Sequence, residues 1–124
     1  MTDKVIYREL SYRVMEGVFE IHKTLGPGFA ESIYEEALAY ELELRSIPFK
    51  RQETVTVVYK GRVVGTHRLD LVVDGRIILE LKAVSSLTDV FKQQVLSYLK
   101  AADFRLGILI NFGTPSVEYT RIVN

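Results

Sequence analysis

The chain has 124 residues, 48% of them hydrophobic, which fits one domain spanning residues 1–124 around a single core. Its 16 Lys and Arg balance 16 Asp and Glu, which excludes a polybasic protein that coats nucleic acid without specificity but allows a local basic surface. With no cysteine and two histidines, disulfide scaffolds, thiol chemistry and zinc cages are excluded, so any metal would be held by carboxylates.

The chain shows no sign of membrane targeting. Its first residues, MTDKVIYREL, have no apolar signal core. No apolar run approaches the roughly 18 residues that a membrane-spanning helix needs. We therefore expect a cytoplasmic protein.

Two helices are predicted in the first third of the chain. A stripe of apolar residues at spacings of three and four predicts a helix over about 7–25: Leu10, Val14, Val18, Ile21 and Leu25. Gly26 and Pro27 end it. A second, mostly acidic helix is predicted over about 30–45, before Pro48.

The pattern then changes to that of strands. Alternation of side-chain character predicts a strand over residues 54–59, and Lys60-Gly61-Arg62 predicts a turn after it. Two more strands are predicted over 66–73 and 76–82. A helix over 89–102, a strand buried on both faces over 106–110 and a last strand over 117–122 complete the chain. This order predicts an α/β (α+β) fold with a central mixed sheet of about four to five strands flanked by helices.

Side-chain parity in residues 67–82 makes a chemical prediction. Odd positions from Leu69 to Leu81 are apolar, whereas Asp70, Glu80 and Lys82 stand at even positions. For the two apolar sides to share one face, paired residue numbers must sum to an even value. That requires a three-residue loop or a bulge around Asp74-Gly75. Asp70, Glu80 and Lys82 should then lie together.

Such a cluster has two interpretations. Two carboxylates can hold Mg²⁺, which polarises a phosphodiester and lowers the pKa of a bound water, while the lysine stabilises negative charge on the phosphate. Alternatively, Glu80 and Lys82 form an ordinary ion pair at a solvated sheet edge, because Glu-x-Lys is common in strands. Residue types alone do not separate the two.

The chain resembles a known family in several segments. The Asp70…Glu80-Leu81-Lys82 spacing is similar to the metal site of the PD-(D/E)XK nuclease superfamily. Gly28-Phe-Ala-Glu31-Ser-Ile-Tyr34 resembles the signature of the GxxExxY proteins, a bacterial and archaeal group of that superfamily. Further matches run from His22 through Gln94 and Tyr98 to Ile110-Asn-Phe-Gly113. The proline that usually precedes the motif aspartate is replaced by Leu69.

The resemblance implies a role for each matching residue. Asp70, Glu80, Glu31 and the carbonyl of Leu81 would hold Mg²⁺ or Mn²⁺. Lys82 would take the role of the motif lysine, and Gln94 would point back at the site. Arg68, Tyr34 and Tyr98 are candidate substrate contacts, although Tyr34 could equally pack and Arg68 could be a solvated strand edge.

The resemblance implies a Mg²⁺-dependent nuclease that hydrolyses phosphodiester bonds, of DNA in preference to RNA. The alternative is a non-catalytic module that binds nucleic acid or protein on the same fold. Neutral net charge and the lack of an appended DNA-binding element favour that alternative, or an enzyme that needs a partner. A homodimer whose subunits share the substrate is a further option. An exposed apolar edge on the protein would indicate such a dimer.

Overall fold

A computed structural model describes residues 6–124 of the chain. It contains three helices and seven strands in the order α1 (Arg8–Leu25), α2 (Glu31–Leu44), β1 (Phe49–Arg51), β2 (Thr54–Tyr59), β3 (Arg62–Arg68), β4 (Leu71–Val73), β5 (Ile77–Lys82), α3 (Asp89–Ala102), β6 (Leu106–Asn111) and β7 (Glu118–Val123). Within the described residues, no helix combines the length and apolar character needed to cross a membrane.

Five strands form the central sheet in the order β1-β4-β5-β6-β7. Strands β5 and β6 are parallel, because α3 connects them as a crossover, and the other neighbours are antiparallel. Strands β2 and β3 form a separate two-stranded hairpin. The predicted α/β fold with a five-stranded mixed sheet flanked by helices is confirmed.

The two faces of the sheet bury different helices. Odd-numbered residues of β4 and β5, such as Leu71 and Leu79, pack in one cluster with α1 and α2. Even-numbered residues, such as Val72 and Ile78, pack in a second cluster with α3 and with Val55 of the hairpin. The partners Leu71↔Leu79 and Val73↔Ile77 give the even sums that parity required, with the three-residue loop 74–76 between the strands.

The predicted strand over 66–73 is wrong in one respect, because it breaks at Leu69 and Asp70. Residues before the break belong to the hairpin and residues after it to the central sheet. At the crossing, the Leu69 N–H donates to the Glu53 carbonyl and the Gln52 N–H donates to the Asp70 carbonyl. Leu69 is therefore buried on the α3 side and not with the other odd-numbered residues. This break leaves Asp70 immediately before the first residue of β4.

Strand β1 was not predicted. It has three residues, of which Lys50 and Arg51 are exposed, so no apolar alternation marks it in the sequence. It pairs with β4 at the edge of the sheet.

Candidate active site

Asp70 and Glu80 interlock through the backbone of their neighbours. The Asp70 N–H donates to Glu80 Oε2 at 2.9 Å, and the Leu81 N–H donates to Asp70 Oδ2 at 2.8 Å. Because β4 begins only at Leu71, it has no backbone carbonyl opposite the Leu81 N–H. The Asp70 carboxylate accepts that hydrogen bond instead. Glu80 lies in the middle strand of the sheet and is only 5% exposed. The structure thus brings two carboxyl groups together just before β4 begins.

Burial and mutual repulsion disfavour the charged forms of these acids. Desolvation, with the nearby charge of Asp70, raises the pKa of Glu80 to about 8. Desolvation also raises the pKa of Asp70, against the hydrogen bond from Leu81, which lowers it. Desolvation and the charge of Asp70 raise the pKa of Glu31. A site that crowds acidic groups in this way lacks positive charge, which a bound cation would supply.

Lys82 is the cationic side chain of the site. Its positive charge opposes the raised pKa values of Glu80, Asp70 and Glu31, so it acts on all three acids. Its Nζ lies 4.8 Å from the centre of the Phe91 ring on α3. Among residues 6–124, it forms no ion pair within 4 Å with Glu80. The alternative of a solvated Glu80–Lys82 ion pair is therefore wrong, since Glu80 is buried in the central strand.

The acidic residues of α2 stand beside the pair without joining it. Glu31 is exposed in the first turn and interacts with Asp70 through charge alone. In the described part of the chain, no three His, Asp or Glu side chains are close enough to hold a metal ion. The resemblance implied that Glu31 would help Asp70 and Glu80 to hold the metal; the structure leaves Glu31 outside their hydrogen-bonded pair, so this role stays a prediction. Glu31 lies outside the pair because it projects from a helix, whereas Asp70 and Glu80 are tied to strand backbone.

Glu35 belongs to the same acidic surface and was missed as a site residue. Its charge raises the pKa values of both Asp70 and Glu31. Its carboxylate accepts hydrogen bonds from Arg51 and Gln52, which neutralise part of that charge. Glu35 follows Glu31 by one helical turn, so the i, i+4 spacing was the signal that could have identified it.

Helix α3 presents one face towards the site. Phe91 contacts Lys82, and Tyr98, seven residues later, stacks on His67 with ring centres 3.8 Å apart. Gln94 lies between them at helical spacing and is exposed, and its side-chain amide forms no hydrogen bond with the other described residues. The structure therefore places Gln94 and Tyr98 at the rim of the site.

His67 also lies at the site, although the sequence pattern gave it no role there. Its Nε2 lies 3.4 Å from Glu80 Oε1. Burial and the charge of Lys82 lower the pKa of His67, so the ring is neutral at pH 7 and the contact is not an ion pair. Nothing in the local sequence pattern distinguishes this histidine from a strand-edge residue.

The two remaining substrate candidates have different surroundings. Arg68 is exposed and lines an open cavity of about 480 Å³ together with Glu35, Arg51 and Gln52, next to the acidic residues. Tyr34 is fully buried, and its ring stacks on Phe112. A direct contact of Tyr34 with substrate is therefore corrected to a packing role, because no surface of the side chain is accessible.

The buried Tyr34 also fixes the conformation of the segment from Gly26 to Tyr34. Its hydroxyl donates to the Gly26 carbonyl and accepts a hydrogen bond from the Phe29 N–H. Between them, Gly28 has a φ of 116°, a conformation that glycine adopts without strain. The tyrosine thus fixes the turn before α2 and places Glu31 at the first position of that helix.

A model of the PD-(D/E)XK nuclease superfamily matches residues 8–122 of this chain. The chain belongs to that superfamily. A crystal structure of SSO0001 shares the fold with a TM-score of 0.61 at 21% identity. That match covers 95% of this chain and 57% of SSO0001, so the chain spans little more than half the length of that relative. No curated protein matches.

The residues of the site suit the divalent metals that PD-(D/E)XK nucleases typically use. Asp70 and Glu80 provide two hard oxygen ligands, and Mg²⁺ in proteins is often held by one or two carboxylates and several waters. The Leu81 N–H points at Asp70. Because the N–H and C=O of one strand residue point the same way, the Leu81 carbonyl also faces this edge. The three groups therefore fit a magnesium ion.

Asn111 positions the backbone that carries Lys82. It pairs with Lys82 across the parallel strands and is fully buried. Its amide accepts hydrogen bonds from the N–H groups of Val84 and Gly113 and donates to the Val84 carbonyl and to Glu118. This one side chain therefore ties the segment after β5 to the end of β6. In the sequence, the feature that could have identified Asn111 is its position as a polar residue at the end of the apolar run 106–110.

Gly113 should be sensitive to any added side chain. A Cβ there would lie 2.3 Å from the Val84 carbonyl oxygen and 2.5 Å from its nitrogen, where backbone cannot give way. We expect Gly113→Ala to lower the free energy of unfolding by about 1–3 kcal/mol, measured by urea denaturation. Gly65→Ala is the matched control, because a Cβ at that position of β3 meets nothing within 4 Å. Equal stability of the two variants would contradict the tight packing of this segment.

Proposed function

We propose that this protein is a Mg²⁺-dependent nuclease that hydrolyses phosphodiester bonds, of DNA in preference to RNA. The observation that carries the proposal is the half-buried Asp70 interlocked with the buried Glu80, with Lys82 beside them. Holding a buried carboxyl group against a half-buried one is costly without a cation, and packing alone gives no reason for it. The Gly28-x-x-Glu31-x-x-Tyr34 segment further leads us to place the chain in the GxxExxY group.

Each residue has a defined role in this proposal. Asp70, Glu80 and the Leu81 carbonyl would hold Mg²⁺, with Glu31 reaching it through water. When bound, the ion supplies positive charge that polarises the phosphodiester and lowers the pKa of a coordinated water. Lys82 stabilises the negative charge that grows on the phosphate as the water oxygen bonds to phosphorus and the sugar oxygen leaves. Arg68, Gln94 and Tyr98 contact the substrate around the scissile bond.

A cleavage screen tests the proposal. Single-stranded, duplex and branched DNA, with RNA as the comparison, are incubated with the parent and with Asp70→Asn, purified identically, in Mg²⁺ and Mn²⁺. We expect the parent alone to cleave at least one DNA substrate. If neither protein cleaves any substrate in either metal, the chain acts instead as a binding module on a nuclease fold.

A further inference from the structure

The β2–β3 hairpin stands away from the rest of the protein. Only its base is packed, where Val55 is buried with Val95 and Leu99 of α3. Every residue from Thr56 to Thr66 is exposed. An isolated two-stranded hairpin is marginally stable in water, so this extension indicates a surface that is used.

The hairpin is positively charged although the whole chain is neutral. Residues 54–68 contain the cations Lys60, Arg62 and Arg68 and no Asp or Glu, whereas the protein has equal numbers of acidic and basic residues. Lys60 and Arg62 lie at the turn and Arg68 lies at the base. In the part of the chain that the structure describes, these three cations take part in no ion pair. Their charge is available to an anionic partner.

The base of the hairpin adjoins the proposed metal site. His67 contacts Glu80, and Arg68 precedes Asp70 by two residues. Strand β3 has seven residues and therefore spans roughly 20 Å from the site to the turn. Base pairs of DNA advance about 3.4 Å along the axis, so this reach corresponds to about six base pairs.

We propose that the β2–β3 hairpin is an arm that binds duplex DNA on one side of the scissile phosphate, which deepens the proposed nuclease function and rests on it. A two-stranded β-ribbon fits the major groove of B-DNA, whereas the deep, narrow major groove of duplex RNA excludes it. The exposed valines of the arm, Val57, Val58, Val63 and Val64, hold the ribbon extended and can contact thymine methyl groups. Lys60 and Arg62 contact phosphates at the far end.

Removing the charge at the turn tests the arm. Binding of the parent and of Lys60→Ala/Arg62→Ala to duplexes of increasing length is measured over a range of salt concentrations, without added Mg²⁺ so that the DNA stays intact. We expect the double variant to lower the slope of log affinity against log salt by about 1.8 on long duplexes, the loss of two phosphate contacts. On duplexes too short to reach the turn, the two proteins should bind equally.

A matched control carries the same change in charge elsewhere. Lys100 and Arg105 are exposed near the end of α3 and before β6, at the opposite end of the sheet from Glu80, so Lys100→Ala/Arg105→Ala should bind as the parent does. Equal salt slopes for the hairpin variant and the parent on long duplexes would overturn the proposal. So would a parent that binds no duplex at all.

Binding without Mg²⁺ separates this proposal from the nuclease activity. If the hairpin variant lowers the salt slope but the parent cleaves no substrate, DNA binding by the hairpin is supported and the nuclease function is excluded. Sedimentation of the parent and of Val58→Lys/Val63→Lys, which alters a cross-strand pair of the hairpin, tests the competing occupant, a second copy of the chain. A dimer that this variant dissociates, together with an unchanged salt slope in Lys60→Ala/Arg62→Ala, would assign the hairpin to subunit contact and overturn DNA binding.

Discussion

Replacing Lys82 by alanine should lower the rate of DNA cleavage by about 10²–10³-fold while leaving the fold and the metal affinity nearly intact. The lysine is placed to stabilise negative charge in the transition state, which is where the loss of one electrostatic group has its largest effect. Its side chain is half-buried, its ammonium group forms no hydrogen bond among the described residues, and its packing partner is the Phe91 ring. Losing that contact should cost less than about 1 kcal/mol of stability. Single-turnover cleavage and thermal denaturation measure the two effects separately.

Two further variants show whether charge at this position is what matters. Lys82→Arg keeps the charge but changes its geometry, so we expect a partial loss of rate. Lys100→Ala removes a lysine from the exposed end of α3 and should cleave at the parental rate. A Lys82→Ala protein as active as the parent would remove the proposed role of the lysine. One that lost its response to metal would make Lys82 a structural part of the metal site.

Mg²⁺ or Mn²⁺ should raise the melting temperature of the parent and leave those of Asp70→Asn and Glu80→Gln unchanged. An ion that binds only the folded chain stabilises it by about 2.7 kcal/mol at a concentration 100-fold above its Kd, or roughly 10 °C for a domain of this size. Both substitutions preserve an oxygen that can accept the hydrogen bond from Leu81 or from Asp70, so the variants should fold. Without metal they should be at least as stable as the parent, because one of two crowded carboxyl groups is gone.

Asp103→Asn is the matched control for this experiment. Asp103 ends α3 with a φ of 60°, a conformation that asparagine tolerates, and it lies at the opposite end of α3 from Phe91 and the site. Its melting temperature should respond to metal as that of the parent does. A parent with no response in either metal, or an equal response in all four proteins, would contradict the assignment of Asp70 and Glu80 as metal ligands.

The arrangement of β4 and β5 could be predicted because parity leaves little choice. Apolar residues at odd positions on both strands fix which numbers pair, and this predicted both the three-residue loop and the proximity of Asp70 to Glu80. The break before β4 could not be predicted, because the alternation runs through Leu69 without interruption. What breaks the strand is tertiary, namely the backbone hydrogen bonds of Gln52 and Leu69 where the chain passes between the two sheets.

The rest of the site depends on contacts between distant segments. His67 reaches Glu80 only because the base of the hairpin packs against α3, and no local pattern encodes that packing. Glu31 was expected to hold the metal together with Asp70 and Glu80, but the helical pattern around it does not give its distance from those strand residues. Tyr34 shares a helix with Glu31, and only the packing against Phe112 shows that it faces the core.

The rate of DNA cleavage as a function of Mg²⁺ concentration, for the parent and Glu80→Gln prepared side by side, tests most directly whether this site is a metal-dependent nuclease. The parent should cleave at a rate that rises and saturates with Mg²⁺. Glu80→Gln, which keeps the fold but loses one of two carboxylate ligands, should show no saturable response in the same range. Equal cleavage by both proteins at every Mg²⁺ concentration would contradict a metal site built on Asp70 and Glu80 and would trace the activity to a contaminating nuclease.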